Sequence, residues 1–174
     1  MPLQTTFDFN HEFGSPGMQY GVWDVPVLTG IATEDIPMGR GIALATMGGN
    51  TQENGRSYLK LPDTGDTFVG ISRHRQKESN SDKPTPKTQI NSNELVLFES
   101  DDVVPYCPIG YFYVETTEAV VPGNSVFVST TVNTTRIEDL GKFNTSSGLD
   151  ISANANWVTA TSGPGIAVVS ISFM

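Results

Sequence analysis

No window of about 11 residues in this chain carries apolar residues at sustained helical spacing, which removes helical bundles and α/β folds at the outset. What the chain has instead is short runs of β-branched and aromatic residues, among them "VPVLTGIA", "RSYLKLP", "TFVGISR", "ELVLFES" and "GIAVVSISF". Glycine or proline cuts off most of these runs, and the chain has 17 glycines and 11 prolines to do so. Strands recurring at roughly 8–12 residue spacing predict an all-β sandwich or barrel. The expected fold is a compact β-barrel or jelly-roll-like sandwich of short strands. An extended arm (1–25) precedes a single β domain (26–174), and a long polar loop (73–92) is inserted into that domain.

One of these strand-turn-strand units occurs twice. "EDIPMGRGIALAT" (34–46) aligns without gaps on "EAVVPGNSVFVST" (118–130), 84 positions later. Glu34 matches Glu118, Ile36 matches Val120, Gly39 matches Gly123 and Ile42 matches Val126. Pro122 and Gly123 supply the constrained φ and the φ > 0 position of a type II turn. In the first copy the proline lies one place earlier relative to the glycine, so Gly39 alone serves that role. Neither copy gathers a nucleophile, a base or a metal ligand. The repetition predicts two equivalent corners of a β-framework.

At 174 residues the chain is long enough to bury roughly 70% of its unfolded surface without disulfides or metals. The net charge of −9 argues against a nucleic-acid binder, because neutralising phosphates requires a basic surface. Cys107 is the only cysteine, which excludes an intrachain disulfide and a cysteine-based zinc site. No apolar stretch approaches the ~20 residues of a membrane helix, and no basic region followed by an apolar run marks a secretory signal. A soluble protein made in a cytoplasm, with no membrane partner, is expected.

Two segments stand out from the β pattern. The aromatic-rich head carries Phe7, Phe9, Phe13, Tyr20 and Trp23. It reads either as an edge strand and loop packed on its own domain, or as an arm that inserts Phe7 and Phe9 into a neighbouring subunit, since aromatic anchors dominate interfaces. "RHRQKESNSDKPTPKTQINS" (73–92) holds Arg73, Arg75, Lys77, Lys83 and Lys87, half of the ten cationic residues of an acidic chain. A solvated excursion is the plainer reading; a docking element for an acidic partner is the sharper one.

Catalytic signals are sparse. Asp63-Thr64-Gly65 matches the tripeptide of aspartic proteases, where two carboxylates share a proton, so one copy would require a homodimer. Pro-Asp-x-Gly is also an ordinary turn sequence, and that reading is preferred. His11 and His74 lack metal-ligand spacing, and Cys107 sits in an apolar run as a small core residue would. The acidic cluster Glu94, Glu99, Asp101 and Asp102 matches no calcium loop. Asn133-Thr-Thr and Asn144-Thr-Ser are incidental sequons. Thr135-x-x-Glu138 is a capping box that predicts a helical turn or two, with Gly141 placed to end it. No enzyme activity and no cofactor are expected.

The series "ATEDIPMGRGIAL", "TFVGISR" and "PIGYFYVETTEAVVPGNSVFVSTT", closed by "ANWVTATSGPGIAVVSISF", resembles tailed-bacteriophage structural cement proteins, which decorate the outside of the head. In that pattern Trp157-Val158-Thr159-Ala160 leads to a final strand at Ala167–Ile171. The resemblance spans roughly residues 26–174; the aromatic head and basic loop depart from it. It implies a β-barrel or jelly-roll-like fold without catalytic residues. It further implies a virion protein that binds major capsid protein on the outer capsid surface as a dimer or trimer, stabilising the head. Capsid or subunit contacts are expected at Phe7, Phe9, Phe13 and Trp23 in the head and at Arg73, Arg75 and Lys77 in the loop. A competing expectation is a glycan- or receptor-binding β domain of a tail fibre or baseplate, using Trp23 or Trp157 against a sugar face.

Overall fold

The computed structural model describes residues 16–21, 25–73, 97–132 and 137–173. Every regular element among them is a β-strand except one 3-10 turn at Ile137–Asp139. The first half contributes β1 (Leu28–Ala32), β2 (Ile36–Pro37), β3 (Gly41–Leu44), β4 (Gln52–Glu53), β5 (Arg56–Lys60), β6 (Phe68–Ser72), β7 (Leu97–Phe98) and β8 (Val103–Cys107). The second contributes β9 (Ile109–Thr116), β10 (Phe127–Val128), β11 (Phe143–Asn144), β12 (Leu149–Asp150), β13 (Ala155–Trp157) and β14 (Gly165–Ser172).

The first sheet runs β1-β8-β6-β3-β5-β4, and a parallel pairing of β1 with β5 closes its first five strands into a barrel. Closure removes the free edges that a short-stranded open sheet would expose. The second sheet runs β12-β10-β11-β9-β14-β13. Trp157 Nε1 on the end strand β13 donates to the carbonyl of Ser125, which precedes β10, at 3.1 Å, and the Val126 N–H donates to Ser152 Oγ, which follows β12, at 2.8 Å.

The two sheets are copies of one plan. Ala43 pairs with Lys60 and Leu44 with Leu59; 84 positions on, Phe127 pairs with Asn144 and Val128 with Phe143. The parallel partners Ala32 and Leu59 recur as Thr116 and Phe143. The Thr33 N–H donates to the Leu59 carbonyl at 2.8 Å, as the Thr117 N–H does to Phe143 at 3.0 Å. Beyond β6 the offset changes: Ile36 faces Phe98, whereas Val120 faces Thr161, only 63 positions after Phe98. The segment following Ser72, which holds the basic loop, is what the second half lacks.

The duplicated motif supplies the framework of both copies. The Glu34 carboxylate accepts the Leu61 N–H at 2.8 Å, and the Glu118 carboxylate accepts the Thr145 N–H at 2.6 Å, the same spacing of donor and acceptor in each half. Ile36 and Val120, like Ile42 and Val126, are fully buried in their own halves. Each such side chain contributes about 1.5–3 kcal/mol by leaving water. One core gathers Ile36, Ile42, Leu59, Phe98 and Val104. The other gathers Phe112, Val126, Phe143, Trp157 and Ile171, and it also takes Phe68, Ile71 and Cys107 from the first half, so the halves share apolar packing.

The turns fall where glycine allows them. Gly39 and Gly123 have φ of 74° and 95°, the region that side-chain-bearing residues avoid. The second-copy turn closes on itself, with the Asn124 N–H donating to the Val121 carbonyl at 3.1 Å. The first-copy turn instead takes in a side chain. Ser72 Oγ accepts the Arg40 N–H at 3.0 Å and donates to the Pro37 carbonyl at 2.9 Å. The Asn54-Gly55 pair, a favoured tight-turn dipeptide, adopts φ of 50° and 77° between β4 and β5.

Candidate functional site

The first-copy turn places Arg40 at the seam between the two halves, where its exposure is 1%. Its Nη1 lies 2.9 Å from Glu115 Oε2 on β9, and Nη2 donates to the Glu138 carbonyl at 3.1 Å. The Nη1–Glu115 contact is an ion pair without hydrogen-bond alignment, and Nε has no acceptor among the described residues. Burial pulls the guanidinium below its ordinary pKa, and Glu115 opposes that pull. Lys142 joins the network, 3.3 Å from Glu115 and 2.9 Å from Asp139. Replacing a buried ion pair whole by apolar side chains can be neutral or stabilising, whereas removing one partner strands the charge of the other, so Arg40 and Glu115 depend on each other across the seam.

Beside the seam, residues 17–20 lie along the free edge of β9. The Gly17 N–H donates to the Tyr113 carbonyl at 2.8 Å, the Tyr113 N–H to Met18 at 3.0 Å, and the Tyr20 N–H to Tyr111 at 2.8 Å. This segment supplies backbone pairing where β11 meets β9 only at Thr116. The inner end of the aromatic head is therefore an added edge strand on its own chain. Along β9, Phe112 and Val114 are buried while Tyr111 is exposed and Tyr113 half-buried, so the outer face presents tyrosines. The Tyr20 and Tyr113 rings meet edge-on with centroids 5.6 Å apart. Next to Tyr111 opens a shallow groove of about 380 Å³, lined by Gly110, Asn154, Asn156, Ser170 and Ser172 among others.

Of the contact residues expected from the sequence, Phe7, Phe9, Phe13, Trp23, Arg75 and Lys77 lie outside the described residues. So do His11, His74 and Glu94. Arg73 is described: it follows β6, and its N–H donates to the Pro105 carbonyl at 2.8 Å. The tyrosine face was not singled out in the sequence. Its one signal is "GYFYVET", where large residues occupy both faces of a strand that needs only one for its core.

The catalytic candidates resolve into framework. Asp63 accepts the Thr131 hydroxyl at 2.7 Å and the Thr64 N–H at 2.8 Å, and its own N–H donates to the Asp66 carboxylate at 2.7 Å. These bonds, that from Thr131 first, hold the Asp63 carboxyl below its usual range, as expected for an anion that accepts bonds within a turn. Cys107 is fully buried, and burial pushes its thiol pKa up, away from nucleophilic reactivity. Trp157 is 3% exposed and bonded to Ser125, so it presents no face to a sugar. Asn144 is buried and bonded to Ser129, closing that sequon to modification. No group of histidine, cysteine and carboxylate side chains among the described residues is arranged to hold a metal ion.

What the fold presents is a duplicated β scaffold, one closed barrel and a second six-stranded sheet, cross-braced at their seam. The chain belongs to the structural cement protein family (E217 gp24/Pam3 gp6), whose model matches residues 3–172. Among solved structures it is similar to a chain in the capsid of Myoviridae phage XM1, with a TM-score of 0.60, 15% identity and 91% of each chain covered. That likeness carries the fold. No curated protein matches.

Proposed function

We propose that this protein binds the outer surface of a phage capsid and cements neighbouring major capsid protein subunits, without catalysing a reaction. Membership of the cement family over residues 3–172 carries this reading. The physics of attachment supports it. Several weak contacts made by one oligomer add to high avidity. A protein that binds only the assembled lattice stabilises that lattice by mass action. In this reading the chain works as a dimer or trimer, with an arm (1–25) and a β body (26–174). Phe7, Phe9, Phe13 and Trp23 of the arm and Arg73, Arg75 and Lys77 of the basic loop meet the capsid or a neighbouring copy. Neither nucleic acid nor membrane is a partner.

Co-sedimentation with empty heads of the cognate capsid protein tests it. The protein pellets with heads in saturable, fixed stoichiometry. Protein left in the supernatant at every head concentration would contradict the proposal.

A further inference from the structure

The groove beside Tyr111 lies where the second half departs from the duplicated plan. Phe112 stands opposite Val169 as Leu28 stands opposite Tyr106, so Val169 corresponds to Tyr106 and Ser170 to Cys107. In the first half Phe68, opposite Ala43, is four positions from Ser72, opposite Tyr106. In the second, Asp150, opposite Phe127, is seven positions from Trp157, opposite Val169. Strand β6 is thus represented by two pieces, β12 and β13, with three extra residues in the turn between them. Ser152 braces that turn: its Oγ accepts the Val126 N–H at 2.8 Å and donates to Asp150 Oδ1 at 2.6 Å. The Asn154 N–H closes the turn on the Ile151 carbonyl at 3.0 Å.

The departure reaches the outer face. Ile71 and Cys107 pair in the first half and are buried in the core that both halves share. Their counterparts Asn156 and Ser170 pair on β13 and β14 and line the open groove instead. Tyr111 pairs with Ser170 from the other side, so Tyr111, Ser170 and Asn156 form one row across three strands. Ile109 and Ser172 pair in the next row of the same face, and Asn154 extends it, its carbonyl accepting the Ser172 N–H at 2.9 Å. The volume of about 380 Å³ falls within the range of small-molecule sites.

We propose that this groove binds a neutral saccharide, a function beyond the cementing proposed above. Its lining carries no charged side chain, and Glu115 lies four residues along β9 from Tyr111, paired into the seam. An anion would find no cation there on a chain of net charge −9, and a metal ion would find no carboxylate. Asparagine amides and serine hydroxyls both donate and accept, as the hydroxyls of a sugar require. Tyr111, 41% exposed, offers a flat apolar face to the C–H side of a sugar ring, with its phenol hydroxyl at the rim. The polar lining speaks against a second protein chain as occupant. Where protein does cover this position, in the first half, the residues are Ile71 and Cys107.

The full chain, free of capsid, is tested on a glycan array that carries uncharged oligosaccharides of glucose, galactose, mannose and rhamnose beside uronic-acid ones. Binding to at least one uncharged glycan is expected, weakened at least tenfold in Tyr111→Ser and in Asn156→Ala. Val121→Ser, at the exposed second-copy turn, should bind like wild type. Circular dichroism first matches each variant to wild type. If either misfolds, hydrogen exchange of the wild type decides: the bound glycan should slow exchange at residues 109–111 and 153–156, and unchanged exchange there would overturn the inference. Competition by purified cell-envelope polysaccharide would place the ligand on a cell surface, and competition by free monosaccharide alone would make it a dissolved sugar; both support the inference. No uncharged glycan bound, or full binding by a folded Tyr111→Ser, would overturn it. So would loss of head binding in folded Tyr111→Ser with no glycan bound, which would give the groove to the capsid. Heads left unbound by the wild type would remove cementing and leave the saccharide site standing.

Discussion

The Arg40 guanidinium lies 2.9 Å from the Glu115 carboxylate, and this pair ties the turn before β3 in the first sheet to β9 in the second. Replacing Arg40 with Met removes the cation but leaves Glu115 and the Glu138 carbonyl facing the seam. Breaking a buried pair from one side costs about 3–5 kcal/mol, and the partial exposure of Glu115 puts this case near the lower end. Urea unfolding should show a loss of about 3 kcal/mol. Arg40→Lys should recover only part of that loss, because an ammonium cannot span both acceptors.

The two copies of the turn respond differently to the same change. Gly123→Ala meets open space and bears only the cost of a positive φ, about 1–2 kcal/mol. At Gly39 a Cβ would also collide with Pro16 and the Gly17 backbone, so Gly39→Ala should cost about 3 kcal/mol or more. Thermal midpoints of the two variants, measured side by side, check the order. Equal midpoints would mean that Pro16 and Gly17 do not pack as described.

Much of the framework is legible in the sequence because its turns need glycine. The strand runs, the Asn54-Gly55 hairpin and the Asp63-Thr64-Gly65 turn are all announced by local chemistry. The doubled motif also points to equivalent corners. The sequence hides how far the duplication extends, because only backbone register survives in the rest. Leu59 and Phe143 do the same work with different side chains, as do Phe98 and Thr161. Arg40 is hidden for another reason: a lone arginine after a glycine turn reads as solvated, and its burial depends on a strand 75 residues away. The tyrosine face is masked by its neighbours, since "YFYV" reads as one apolar run. The shift of β11 away from most of β9 is a tertiary matter, and it alone leaves the edge that residues 17–20 take.

Acid should weaken the fold through specific carboxylates. Burial pushes Glu118 up, but the bonds it accepts from the Thr145 N–H, the Thr145 hydroxyl and Ser146 bring it below its ordinary 4.5. The hydroxyl and then the N–H of Ser152 hold Asp150 below 3.8, and Asp63 is held below the same value by Thr131 and Thr64. A carboxyl with a depressed folded pKa adds stability that is present above its unfolded pKa and lost as pH falls through the folded one. Denaturant midpoints should therefore hold near neutrality and decline below about pH 4.5. Glu118→Gln should flatten that decline; an unchanged slope would remove Glu118 from the account.

Removing residues 1–15 spares Pro16 and the edge segment on β9, so the truncated chain should remain folded, as circular dichroism would show. Its binding to heads should fall at least tenfold if the arm grips the capsid. Full saturation of heads by the truncated chain would discard the arm as a contact.

The central claim is that the protein holds capsid subunits together. The most direct measurement is the thermal disruption of purified heads, bare and saturated with protein, followed by light scattering or release of contents. Cementing predicts a higher disruption temperature that rises with occupancy and plateaus at saturation. Heads that bind the protein in full yet come apart at the temperature of bare heads would contradict it.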